Sequence, residues 1–197
     1  MTATPRRRES FAERRERRAA IDDPAVVLEA ATRFLEARAR SVTEVRRRLT
    51  TAGYRSDLID GAIARLGDLG VLDDEAFARA WVESRDRARP RGERALREEL
   101  RLKGIERSLV DAVLTERREG SEAADGDQPD DLPSPDCAAA ERLIERQRRA
   151  LDRIADPRRR RERAYAVLAR NGFDPETCRE VAARVATWDE DAGIAED

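Results

Sequence analysis

The sequence predicts an all-α protein of tandem three-helix repeats that form an elongated, curved helical array. Three observations carry this. Apolar residues recur at helical spacing through most of the 197 residues, as in Val42, Val45 and Leu49 or Leu58, Ala62 and Leu66. No run alternates apolar and polar residues as a half-buried strand would. Finally, a leucine four residues before a glycine, followed at once by an apolar residue, occurs three times: Leu49/Gly53/Tyr54, Leu100/Gly104/Ile105 and Leu168/Gly172/Phe173. Such a glycine takes the left-handed turn that ends a helix, so each copy reads as helix, stop, helix. The repeat copies span Glu44–Leu66, Ala95–Arg117 and Arg163–Val185.

The elements follow in order. Residues 1–22 form a basic arm, with seven Arg against three Glu in the first twenty residues; it is expected to be disordered or a fraying helix. Residues 23–70 form the first unit. Its opening helix starts at Asp23-Pro24, and its second starts with the capping box Ser41-Val42-Thr43-Glu44. Residues 71–118 form the second unit, whose first helix carries Phe77, Trp81 and Val82. Residues 119–136 hold seven acids, three Pro and no base; a disordered acidic linker is expected. Residues 137–188 form the third unit, with Asp174-Pro175 opening its last helix, and 189–197 an acidic tail. A unit of about 45 residues is marginal alone, so neighbours are expected to pack on one another.

Composition removes whole classes of chemistry. There is no histidine, so Ser-His-Asp and Cys-His catalysis and histidine-containing zinc sites are excluded. Two cysteines, Cys137 and Cys178, cannot build a four-cysteine site or a disulfide framework. No catalytic residue, metal or cofactor is expected. No stretch approaches the ~20 apolar residues of a membrane span, and the basic start precedes no apolar run. A cytoplasmic monomer is expected. The formal net charge of -2 conceals segregation, because residues 33–118 and 137–188 are net basic while the linker and tail are acidic.

Three clusters invite a functional reading. Asp73, Asp74 and Glu75 could hold a divalent cation, but they stand where helix caps belong, directly before Phe77, and are read as caps. Arg85, Arg87, Arg89, Arg91, Arg94, Arg97, Arg101 and Lys103 form the densest basic stretch. It could contact an acidic protein surface or DNA phosphates, or pair with Glu93, Glu98 and Glu99 along a solvated helix. Arg158–Arg161 opens a helix and is read as solvated, with phosphate contact as the sharper alternative. Trp81 is read as core, and Ser41 as a cap rather than a nucleophile.

Several stretches carry a resemblance. FLEARARSVTEVRRRLTTAGY (Phe34–Tyr54) holds Arg38, Arg40, Ser41, Glu44, Leu49 and Gly53. LGVLDDEAFARAWVESR (Leu69–Arg85) holds Leu72, Asp73, Asp74, Phe77 and Ala78, and RPRGERALREELRLKGI (Arg89–Ile105) holds Gly92, Leu100, Gly104 and Ile105. In these stretches, and over about Ala25–Val185 without the linker, the chain resembles the bacterial RecX family of RecA modulators. The resemblance implies a protein that is not an enzyme. It would bind RecA in the groove of the RecA–DNA filament and inhibit its ATPase, strand-exchange and co-protease activities, in DNA repair and the SOS response. Arg38, Arg40, Arg85, Arg89, Arg91, Arg94, Arg97, Arg101 and Lys103 are the candidate contacts to RecA or DNA. A second reading is a helical-repeat protein that binds single- or double-stranded DNA directly through these arginine-rich faces.

Overall fold

The computed structural model describes residues 9–123, 134–186 and 188. Among these residues there are ten helices and no strand. They are α1 (Phe11–Ala19), α2 (Pro24–Glu36), α3 (Val42–Ala52), α4 (Ser56–Asp68), α5 (Asp74–Ala88), α6 (Glu93–Leu102), α7 (Arg107–Ala123), α8 (Pro135–Leu151), α9 (Pro157–Arg170) and α10 (Pro175–Ala186). The tandem trios α2–α4, α5–α7 and α8–α10 follow α1. The described chain divides into two compact units. One runs up to Phe77 and includes Lys103–Ile105; the other holds Ala78–Leu102 and the residues from Glu106 on.

Local chemistry sets the helix starts. Asp23 and Asp156 accept the N–H two residues on, and a proline occupies the first turn, where a missing donor costs nothing. Ser41 and Glu44 complete a reciprocal capping box at α3. Asp73 accepts from the N–H groups of Glu75 (2.7 Å) and Ala76 (3.1 Å) and so caps α5. The helix ends follow the glycine rule. Gly53 sits at φ 100°, and its N–H reaches Leu49 O at 3.1 Å, with Tyr54 N–H following to the same carbonyl at 3.3 Å. Gly104 and Gly172 adopt the same left-handed conformation.

In the first unit Val27 and Ala31 of α2, Val45 and Leu49 of α3, and Ile59, Ala62 and Leu66 of α4 pack with Leu72 in one core. In the second unit Val82, Leu96, Leu100, Val110, Val113 and Leu114 are buried, as is Ala78. The trio α8–α10 encloses Ile144, Leu151, Leu168, Phe173, Val181 and Val185. Leucines before the turn glycines are the anchors: Leu49, Leu100 and Leu168 are all 2% exposed or less.

The turn glycines have a second purpose that periodicity does not reveal. A Cβ on Gly104 would overlap the Thr43 side chain at the start of α3. A Cβ on Gly172 would overlap Ala95 in α6, and one on Gly92 the backbone of Gly172 and Phe173. The glycine turns after α6 and α9 thus pack against the starts of α3 and α6. At Gly53 the neighbour is Arg15 of α1, and Arg18 of the same helix donates to Ala52 O (3.4 Å). The basic arm therefore contains a docked helix, opened by a reciprocal Ser10–Glu13 capping box.

Two boundaries differ from expectation. Helix α7 runs to Ala123, five residues into the expected linker, and α8 begins at Pro135 with Ser134 as its cap. Asp136 is thereby placed on a helix, where it accepts the Glu93 N–H (2.9 Å) and an Arg117 guanidinium N–H (2.6 Å). The centre of the expected linker, residues 124–133, and the expected acidic tail, 189–197, lie outside the described residues, as do Arg6–Arg8.

Candidate functional site

The predicted basic residues fall into two environments. From Arg85 to Arg101 most guanidinium groups are engaged within the second unit. Glu99 is the organiser: it accepts from Trp81 Nε1 (2.8 Å) and Arg85 Nε (2.6 Å), and Arg91 Nε lies 3.4 Å away. Arg85 also stacks 4.2 Å over the Trp81 ring. Trp81 is therefore part-buried, with its indole N–H committed to a carboxylate. Arg91 donates to Asn171 Oδ1 (2.5 Å), and Arg94 to Ala169 O (3.1 Å). Arg97 pairs with Glu93 (2.8 Å) and Asp111, and Arg101 with Glu98 (2.7 Å) on an exposed face. Arg89 is exposed, and among the described residues no carboxylate pairs with it.

Lys103 belongs to the first unit by its contacts. Its Nζ donates to Glu44 Oε1 at 2.7 Å, with the two side chains only 19% and 8% exposed. Ser41, fully buried, donates its hydroxyl to Lys103 O (2.6 Å) while serving as the α3 cap. Burial alone would raise the Glu44 carboxyl, but the Lys103 ammonium, the Ser41 N–H and Arg38 outweigh it. Its pKa lies below the ordinary 4.5. The folded chain thus favours the carboxylate more than the unfolded chain does. This contribution is fully present above pH 4.5 and is lost as pH falls through the lower folded value. In urea titrations the stability gap between the native chain and Glu44→Gln is expected to be widest at neutral pH and to close on acidification below that point. A gap that stays constant would show that the carboxylate's charge contributes nothing.

Two of the three acids act as caps. Asp73 caps α5, and Asp74 Oδ1 accepts the Val42 N–H (2.8 Å), serving the start of α3 from another helix. Burial pushes the Asp74 carboxyl above its ordinary value against the pull of that N–H, and the nearby Asp73 charge adds to the rise. Among the described residues no group of three or more His, Cys, Asp or Glu could hold a metal ion. Leu72, Phe77, Ala78, Gly92 and Ile105 are all buried.

The Arg158–Arg161 run is not uniformly solvated. Arg160 is 3% exposed and donates to Ile154 O (3.0 Å). Cys137 and Cys178 are both buried and free. Burial and the adjacent Glu180, to which it donates, push the Cys137 thiol up to about 11.

Arg38 and Arg40 line a groove of about 350 Å³ in the first unit, together with Phe34, Glu44, Arg47, Arg48 and Thr51. Arg47 and Arg48 were not singled out from the sequence. The available signal was the spacing of Glu44, Arg47, Arg48 and Thr51 at i, i+3, i+4 and i+7, which puts all four on one face of α3.

The chain is similar to known proteins along most of its length. The family description "RecX, first three-helix domain" matches residues 28–66, and "RecX, second three-helix domain" matches 73–114. A Mycolicibacterium vanbaalenii protein named Regulatory protein RecX is 32% identical over 149 residues, covering 72% of this chain and 72% of that one. The protein of the same name from Mycobacterium avium is 32% identical over 155 residues, covering 78% and 82%. The crystal structure of RecX from Lactobacillus salivarius shares the fold, with a TM-score of 0.66 at 18% identity over 83% of this chain and 97% of that one. Among the described residues no helix is long and apolar enough to cross a membrane. With the same helical trios and more than two thirds of such relatives matched, the chain belongs to the RecX family of regulatory proteins.

Proposed function

We propose that this chain regulates the RecA recombinase by binding the RecA–DNA filament and inhibiting its ATPase, strand-exchange and co-protease activities, in the cytoplasm, as part of DNA repair and the SOS response. The observation that carries the reading is membership of the RecX family over most of the chain. The protein acts by binding, as a monomer, with its three-helix units 23–70, 71–118 and 137–188 as modules. Among the candidate contacts, the exposed Arg38, Arg89, Arg94 and Arg101 are suited to meet a partner. Of the more enclosed candidates, Arg85, Arg91, Arg97 and Lys103 are held by partners within the chain, and Arg40 lies over the Phe34 ring.

The test is RecA's DNA-dependent ATP hydrolysis with the purified chain added. Inhibition is expected, and an Arg89→Ala/Arg101→Ala variant should need about fivefold more protein for the same effect, near 1 kcal/mol of binding free energy. Unchanged hydrolysis at excess native chain would reject the proposal.

A further inference from the structure

The groove at the junction of α2 and α3 has a composition that its own fold does not use up. Four arginines, Arg38, Arg40, Arg47 and Arg48, face one carboxylate, Glu44. That carboxylate is already engaged: Lys103 donates to Oε1 at 2.7 Å, and the Ser41 N–H to Oε2 at 3.4 Å. Arg38 comes only to 3.8 Å from it, on a half-exposed side chain. Arg47 and Arg48 are exposed, and among the described residues no carboxylate pairs with either.

The aromatic ring of Phe34 organises the cluster. The Arg40 guanidinium lies 4.4 Å from the ring centroid and that of Arg48 5.7 Å. Stacking holds a guanidinium by its face and leaves its N–H edge free to donate in plane. Arg40 Nε is buried without a hydrogen-bond partner among the described residues. Packing like charges together and orphaning a buried donor both cost stability. An anion entering the groove would offset that cost.

We propose that this groove is a binding site for the phosphate backbone of a nucleic-acid strand. A strand carries one charge on every nucleotide, at a regular spacing, and so can meet several guanidinium groups along an open groove. An acidic peptide places its charges irregularly on flexible side chains, and each carboxylate satisfies one guanidinium fork. Recognition here is of backbone rather than base, because Arg40 and Arg48 already flank the Phe34 ring that could otherwise stack a base. Arg38 is shared with the recombinase reading, but a strand bound in this groove needs no RecA.

The experiment measures fluorescence anisotropy of a labelled single-stranded oligonucleotide with the full chain, in the absence of RecA, across a salt series. Arg47→Gln/Arg48→Gln changes two exposed side chains and leaves the α3 core intact; Arg40→Gln probes the stacked one. Each fold is checked by helical circular dichroism. The double variant should weaken binding by roughly tenfold and flatten the salt slope by about 1.4, at ~0.7 for each of two single-strand phosphates no longer neutralised. Arg33→Gln, whose guanidinium pairs with Glu29 at 2.6 Å, serves as a control and should bind within about twofold of the native chain. Affinity and slope unchanged in the double variant would overturn the proposal. It would equally be overturned if that variant kept the strand and released a poly-glutamate peptide, which would make the groove an acidic-peptide site. Pyrophosphate at matched ionic strength should displace the strand no better than chloride; stronger displacement would assign the groove to free phosphate instead.

Discussion

Arg117→Ala is expected to lower the unfolding free energy by about 3–5 kcal/mol, the cost of stripping one partner from a buried charge cluster. Arg117 projects from α7 and is only 8% exposed. It donates to Asp86 through Nε and Nη2, both at 2.9 Å, and to Asp136 through Nη1 at 2.6 Å. Burial opposes its charge, but the two carboxylates more than compensate, so its pKa lies above the ordinary arginine value. Without it, Asp86 and Asp136 would face each other part-buried, 24% and 16% exposed, with no cation between them. Since Asp86 is on α5 and Asp136 on α8, one side chain ties three helices together. Urea denaturation checks the magnitude, and a cycle with Asp86→Ala isolates the coupling. A drop under about 1 kcal/mol would mean that the carboxylates reach water as easily as a surface pair does.

Gly92→Ala should destabilise by about 1–3 kcal/mol, as overpacking of a tight contact does. Gly92 donates its N–H to Asn171 O (3.1 Å), and an added Cβ would overlap the Phe173 nitrogen and the Gly172 carbonyl. These are backbone atoms and cannot rotate aside. The same substitution at Gly61 should have the opposite sign. Gly61 lies within α4, and a Cβ there meets nothing within 4 Å. Alanine should therefore stabilise by about 0.8–1 kcal/mol through helix propensity. Thermal melts of the two variants test this directly. A common shift for both would show that the destabilisation at Gly92 does not come from steric overlap.

Much of the local architecture was legible because it depends on near neighbours. Ser41 and Glu44 announce a capping box across three residues, and Leu49 and Gly53 announce a helix end across four. Asp73 before Phe77 reads as a cap for the same reason. The fate of each arginine was not legible, because the deciding partner is remote. Arg117 and Asp86 are 31 positions apart, and Arg91 and Asn171 are 80 apart. Arg160 stands in a run of four that looks uniformly solvated, yet it is buried against Ile154 O. Asp136 sat among acids and prolines and read as linker, but its carboxylate serves both α6 and α7.

By itself, then, the sequence determined an all-α chain of repeated helix–glycine–helix trios, since helical periodicity, caps and left-handed turns are each settled within a few residues. Tertiary structure decided what those same residues touch. It set the turn glycines against the starts of other helices, gave the basic arm a helix that docks on Gly53, and separated arginines that tie the fold from those left facing a groove. Close approach of two backbones and pairing of buried charges are properties of segments distant along the chain, and no local pattern encodes them.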